Sequence, residues 1–556
     1  MTLVDILLIA ALVAFVIVWW LRAIPGRPVL LVATAGAAVV LGLWGMIDDR
    51  WQDAAGVAVA LVFLLVLLVN RLRKAPAKTG RPWFSGVLFG LLALIPLAAI
   101  WSFPVSALPK PSGPHPVGMR SFEVDDASRP GVLLAKPGEP RRLLVRVWYP
   151  AGDVSALKPA PYFSEKEADT TAKGLGAMVG FPPFFTYVKH VTTHSYADAP
   201  LLAGPSRRPV VFYSHGYTSF LSQNTALMEH LASHGYIVFS VQHTYDSSPT
   251  LFPDGDVAPA DPALREMGRA TTEAAKAADA AQRKALTGAT LDERIDGFLR
   301  LRELALGGTS DRLLKSGEIW SADRIFVHDQ LQRGAVPPAI QEIAAAGDLT
   351  RVGEMGMSFG GATSGTVCMR DRRCAAGINL DGGDFPFQAF AAEIPAPFLM
   401  LHSDLGNLYQ QLGLAPPKAP RSFNEFSYES LATMGSRRDI YRVYLKGSRH
   451  LGISDFMLFM RRPARDSIFG TTPTRVMIDA QNDLVMGFFD KHVRGVASSY
   501  PQAELKRYGR WAAPIGVADV RAWWAGKSEA DRAALTARIE KARARPAPVP
   551  PPPPAP

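Results

Sequence analysis

The chain has 556 residues and a net charge of +10, from 60 Lys and Arg against 50 Asp and Glu. Its basic residues form no stripe interleaved with aromatics, which argues against nucleic acid; a basic protein beside anionic lipid headgroups is the simpler account. It has two cysteines, and no Cys/His spacing suggests a metal, so neither a metal nor another cofactor is expected.

Four apolar stretches open the chain, residues 3–21, 29–47, 54–69 and 84–103. Each approaches the ~20 residues that a membrane-spanning helix requires, the third being the shortest. Trp19, Trp20, Trp44, Trp83 and Trp101 lie at or near their ends, where aromatic belts form. A signal peptide would explain only the first stretch, which lacks a basic leader and a small-residue cleavage site. Buried core helices are the other alternative. Four stretches in succession predict an all-α four-helix transmembrane anchor over residues 1–103.

Loop charges give the orientation. Arg22 and Arg27 follow the first span, and Arg71, Arg73, Lys74, Lys78 and Arg81 follow the third; the middle loop sets Arg50 among Asp48, Asp49 and Asp53. Short Lys/Arg-rich loops stay in the cytoplasm. Everything after Phe103 is therefore expected outside it, in the periplasm if the host is a bacterium with two membranes. The spans carry almost no charge, Asp5 sitting at an end, which argues against a transport path.

Residues 104–116 read as a proline-rich, extended tether and residues 545–556 as a proline-rich tail. Between them lies one large catalytic domain, residues 117–500, followed by a helical extension, residues 501–544. Strands are predicted at 143–149, 210–213, 236–242, 351–355, 375–380, 398–402 and 440–445. Helical patterns separate most of them, for instance 221–234, 321–332 and 484–493. The alternation predicts an α/β fold whose mostly parallel sheet is covered on both faces. Residues 249–320 break the rhythm with Ala-, Glu-, Arg- and Lys-rich helical sequence. They form either a cap beside the substrate or a solvated excursion. The apolar segment 178–187 dips into a membrane, lines an acyl pocket, or is ordinary core.

Three segments supply a nucleophile, an acid and a base in the order that an α/β-hydrolase uses. Ser358 sits in Gly356-Met357-Ser358-Phe359-Gly360-Gly361, where a strand ends and a helix begins, with glycines that make room for a strained turn. A serine hydroxyl needs a base, and the base needs an acid to hold its tautomer. His450 follows the last predicted strand and is the candidate base; the remaining histidines read as surface or hydrogen-bonded core residues. Asp381 and Asp404 each end a strand and both suit the acid, the fold's usual position favouring Asp404; Asp384 is a weaker candidate that caps a helix. The oxyanion needs two backbone N–H groups. Phe359, after the nucleophile, and Tyr217, in Ser214-His215-Gly216-Tyr217-Thr218, are the candidates. Cys368 and Cys374 either close a small disulfide or remain separate thiols.

Together these segments resemble the platelet-activating factor acetylhydrolase family of α/β-hydrolases, from about residue 116 to 494. The resemblance rests on FYSHG at 212–216, QHTYDS at 242–247, GMSFGG at 356–361, INLDGG at 378–383, GSRHLGISDF at 447–456, and Asn482-Asp483 through Phe488-Phe489-Asp490. It implies Asp381 rather than Asp404 as the acid, Tyr217 and Phe359 as oxyanion donors, and calcium-independent release of short or oxidised acyl chains from phospholipids. Two departures stand out: Met357 replaces the family's common His, expected to change the pocket wall, and the animal enzymes lack the four spans. The expectation is a membrane-anchored serine carboxylic ester hydrolase acting on lipid or similar esters. An acyltransferase with the same triad, or a hydrolase-like domain that only binds ligand, are the rivals.

Overall fold

The computed structural model describes residues 1–73, 82–133, 138–204, 207–266, 272–306, 311–411 and 413–544. Lys74, Lys78, Arg81 and the proline-rich tail lie outside the described residues. Two compact units emerge. One comprises Met1–Leu108, Pro161–Thr192 and Met457–Asp466; the other comprises Pro109–Ala160, Thr193–Phe456 and the chain from Ser467 onward.

The first unit contains helices α1 (Leu3–Trp20), α2 (Arg27–Ile47), α3 (Ala54–Leu72) and α4 (Pro82–Ser102). All four lie in segments long and apolar enough to cross a membrane. Small and large residues alternate in their shared core, where Leu8, Phe15, Ala35, Ala38, Ala60, Phe63 and Phe89 are buried. Helix α1 starts with a capping box: Asp5 N–H donates to Thr2 Oγ1 and Thr2 N–H to Asp5 Oδ2. Asp5 also takes Arg50 Nε at 3.0 Å and Nη2 at 3.1 Å. Arg50, which the sequence places among the acidic residues of the middle loop, is thus a buried partner of Asp5, because two charges out of water must neutralise each other. Within the same unit, the Phe184 ring lies against Trp51 and Phe103, and Tyr187 is buried and donates to Phe459 O, while Val179 and Phe181 are exposed.

The second unit is built on β1 (Val117–Asp126), β2 (Arg141–Pro150), β3 (Ser195–Ala197), β4 (Arg208–Ser214) and β5 (Ile237–Gln242). It continues with β6 (Thr250–Leu251), β7 (Val257–Ala258), β8 (Gly347–Met357), β9 (Cys374–Leu380), β10 (Phe398–Ser403), β11 (Ile440–Leu445) and β12 (Ala512–Pro514). β6 and β7 pair separately; the others form one sheet in the order β12-β11-β10-β9-β8-β4-β5-β2-β1-β3. The six strands from β5 to β11 run parallel. They read as continuous apolar runs because helices cover both faces. The helices of this unit include α5 (Thr225–Ser233), α6 (Glu273–Thr287), α7 (Leu291–Leu306), α8 (Asp311–Arg333), α9 (Phe359–Arg370), α10 (Thr474–Phe489) and α11 (Glu529–Arg543); α5, α8, α9 and α10 pack on the sheet, whereas α6, α7 and α11 pack on one another away from it. Val210, Phe212, Ile237, Phe239 and Val352 of the sheet pack on Val327 and Leu331 of α8. Burying each such side chain is worth about 1.5–3 kcal/mol. This is an α/β-hydrolase fold. Cys368 and Cys374 are joined, tying the last turn of α9 to the start of β9.

Candidate active site

Parallel strands of this kind present their carboxyl ends to ligands, and the residues singled out in the sequence gather there. Ser358 lies between β8 and α9 with φ 55° and ψ −119°, a conformation that costs a non-glycine residue roughly 1–3 kcal/mol. Two contacts over-determine it. Ser358 N–H donates to Leu380 O at 2.7 Å and its carbonyl accepts Gly361 N–H at 2.9 Å. The glycines are obligatory, since a Cβ on Gly360 would stand 2.1 Å from Ser214 O and one on Gly356 2.3 Å from Gly360 C.

Ser358 Oγ is 2.9 Å from His450 Nε2, and His450 Nδ1 is 2.7 Å from Asp381 Oδ2. Asp381 stands at the end of β9, with φ 57°, and its Oδ1 accepts Ser403 N–H at 2.7 Å. His402 Nδ1 is 3.8 Å from that oxygen. Burial pushes the Asp381 carboxyl up, but the imidazoles of His402 and His450 overcome it and hold the group below the usual carboxylate range. For His450 the balance is reversed: burial opposes its charge, yet the bond to Asp381 raises its pKa above the ordinary value. Asp404 makes other bonds, accepting Gly447 N–H and Gly406 N–H, each at 2.9 Å.

A cavity of about 210 Å³ opens beside Ser358 and His450. Phe385, Phe387, Phe390 and Phe423 line it, as do Ala285 and Leu286 of α6 and Phe298 and Leu301 of α7. The 249–320 region thus supplies part of the wall. Asp384 also lines the cavity and is mostly buried, its N–H donating to Asn424 Oδ1 at 3.0 Å. Burial pushes its carboxyl up to about 6, against the charge of Arg302. It begins no helix.

The rings of Tyr217 and Phe359 lie 5.0 Å apart. The Phe359 amide opens the first turn of α9, where helix amides have no intrahelical partner. The Tyr217 amide is aimed by its neighbours. Gly216 N–H donates to Gln223 Oε1 at 2.7 Å, and His215 Nδ1 lies 2.7 Å from Gly216 O. His215 Nε2 accepts His243 N–H at 3.2 Å, so Nδ1 carries the proton and donates. Gly216 C=O and Tyr217 N–H share one trans peptide plane and point opposite ways, so fixing the first directs the second. The loop sits close, a Cβ on Gly216 meeting Ser358 Cβ at 3.4 Å. Met357 is buried beneath it, its sulfur 3.4 Å from Gln223 Nε2, and does not line the cavity. The expected change to the pocket wall is instead a packing contact under the loop.

The sequence reading passed over a second assembly behind this loop. Ser214 Oγ is 2.9 Å from His243 Nε2, and His243 Nδ1 is 2.9 Å from Asp323 Oδ2. Arg141 pairs with both Asp323 oxygens at 2.7 Å, and Trp320 stacks on His243 with ring centroids 3.9 Å apart. Asp323 comes from α8, more than 80 positions from Ser214 in sequence, and carries no local motif.

A model of the family described as platelet-activating factor acetylhydrolase, isoform II, matches residues 100–504. The chain belongs to this family. It is, accordingly, a carboxylic ester hydrolase. Platelet-activating factor acetylhydrolase of Cavia porcellus is 24% identical over 416 residues, covering 72% of this chain and 81% of the relative. That of Gallus gallus is 22% identical over 400 residues, covering 69% and 83%. Among solved structures, a ferulic acid esterase from Streptomyces cinnamoneus is similar, with a TM-score of 0.48 and 22% identity over 74% of this chain and 100% of that one.

Proposed function

We propose that this member of the family is a membrane-anchored serine esterase that works outside the cytoplasm on short or oxidised acyl esters of phospholipids or related lipids. Ser358 attacks the ester carbonyl as His450 takes its proton. Asp381 holds the His450 tautomer, and the amides of Tyr217 and Phe359 stabilise the oxyanion. His450 then protonates the leaving alcohol, and water releases the acyl group. The observation that carries this reading is the unbroken chain Asp381–His450–Ser358 at the wall of an aromatic cavity. The cavity's size supports the short acyl group, since about 210 Å³ falls below the roughly 300–1,000 Å³ of clefts that enclose drug-sized ligands. The relatives' names point to removal of an acetyl group from platelet-activating factor. The four apolar helices and the arginines of their first and third loops support the anchor and its orientation.

The test is a fluorophosphonate probe on the purified full chain, wild type against Ser358→Ala, followed by phosphocholine lipids carrying acetyl, oxidised or palmitoyl groups at one position. Labelling lost in the variant and acetyl turnover exceeding palmitoyl turnover are expected. A folded wild type that takes no label would reject the reading.

A further inference from the structure

The family match ends at residue 504, yet the chain beyond it builds the back of the pocket wall. Helix α11 packs on α7 through a cluster in which Ile539 and Ala542 meet Ile295 and Leu299, together with Phe387 and Phe390. Those two phenylalanines, and Phe298 and Leu301 of α7, face the cavity beside Ser358. Phe387, Phe390 and Phe298 therefore belong at once to the cavity wall and to the cluster packed against the extension.

Polar contacts set the register of this packing. Arg538 reaches Asp296 at 2.6 Å and Glu303 at 2.7 Å, two carboxylates about two turns apart on α7. Lys527 and the Trp523 indole N–H both bond Asp292 at the start of α7, at 2.6 and 3.0 Å. Arg302 points the other way, from α7 into the carboxyl end of α11. Its Nε donates to Ala542 O at 2.7 Å and its Nη2 to Ala544 O at 3.3 Å. A cation at the carbonyl end of a helix meets both the unpaired carbonyls and the negative end of the dipole. The Arg302 guanidinium also lies 5.5 Å from the Phe387 ring centroid. The extension thus holds α7 near both ends and along its length.

We infer that the C-terminal extension is a specificity element: α11 fixes the position of α7 and so limits the length of acyl group that the cavity admits. This rests on the proposed role of Ser358 in ester hydrolysis. Arg538, Arg302 and Ile539 are positioning residues, since none of them lines the cavity.

The experiment compares p-nitrophenyl acetate, butanoate and octanoate on the full chain, on Ile539→Ala, on Arg538→Gln and on a chain ending at Ser528. The readout is the ratio of kcat/KM for octanoate to that for acetate. Loosening the clamp is expected to raise this ratio about tenfold in Ile539→Ala and more in the truncated chain, carried mainly by a lower KM for octanoate, given the worth of one methylene in a tight pocket. Folding is monitored separately by fluorophosphonate labelling of Ser358. A ratio unchanged in labelled Ile539→Ala and Arg538→Gln overturns the inference, even if both variants melt earlier. A wild type that fails to label rejects the esterase reading itself, which keeps the two failures apart.

Discussion

Two Ser–His–Asp chains lie in this catalytic unit, and interatomic distance does not separate them. Ser214, His243 and Asp323 are linked at 2.9 and 2.9 Å; Ser358, His450 and Asp381 are linked at 2.9 and 2.7 Å. Their surroundings differ in every respect that matters for chemistry. The first three side chains are wholly buried, whereas Ser358 and His450 line a cavity and the His450 side chain is 47% exposed. Ser214 ends a regular strand, and its oxygen already accepts Arg324 Nη1 at 2.8 Å. Ser358 stands on a strained turn beside two candidate oxyanion amides. Burial pushes His243 down to about 4 despite Asp323, while Asp381 raises His450. In the proposed reading, one chain is a scaffold that fixes the loop carrying Tyr217 and the other exchanges a proton. Access, strain and a place for the oxyanion make the difference.

The sharpest way to break the comparison is to remove each serine. Ser358→Ala should lower kcat by on the order of 10⁵–10⁶ and abolish fluorophosphonate labelling. Ser214→Ala should keep the label on Ser358, because its own hydroxyl is out of reach of any probe. A Ser358→Ala protein that still labels at serine would overturn the assignment. The acid comes next. Asp381→Asn leaves the geometry but allows the wrong His450 tautomer, at a cost of roughly 10⁴ in kcat. Asp404→Asn, whose carboxylate receives the amides of Gly406 and Gly447, should change kcat less than tenfold. The reverse ranking would restore Asp404 as the acid.

Much of this was legible in the chain, and the parts that were not have physical reasons. The parallel strands announced themselves because burial on both faces leaves uninterrupted apolar runs such as VVFY and IVFSV. β1 was missed because Arg120 and Asp126 share the face of Phe122 and Val124 while Glu123 and Asp125 occupy the other, so polar residues fall on both faces and break the alternation. The helix expected at 321–332 belongs to a longer one, Asp311–Arg333, whose polar first half conceals its period. Ser358, Asp381 and His450 each lie in a glycine-bearing motif that marks a tight turn. Asp323 and Arg141 lie in an ordinary helix and strand, so only the fold brings them to His243. Arg50 was read as a loop charge because its partner Asp5 is 45 positions away.

The scaffold chain should fail by unfolding and not by losing chemistry. Asp323→Ala leaves Arg141 and His243 buried without their shared acceptor, which should cost about 3–5 kcal/mol of stability, measured by urea unfolding of the full chain in detergent. Burial raises the Asp323 carboxyl, but Arg141 and Arg129 overcome it and hold the group well below the usual carboxylate range. Its stabilising contribution is thus complete above the ordinary Asp value of about 3.9 and is lost as the pH falls below it. Acid sensitivity should therefore diminish in Asp323→Ala.

The smallest effect is the pH dependence of the catalytic chain, and it tests the contrast between the two histidines directly. In the proposed mechanism His450 must be neutral to accept the Ser358 proton, and Asp381 raises its pKa above the ordinary histidine value of about 6.5. The acid limb of kcat/KM should therefore have its midpoint above 6.5, activity rising with pH through it. In Asp381→Asn the counter-charge is gone while burial persists, so the limb of the residual activity should move to lower pH. His243 carries no weight in that profile, because burial keeps it neutral across the same range. An acid limb that stays in place in Asp381→Asn but moves in Asp323→Asn would exchange the roles assigned here to the two chains.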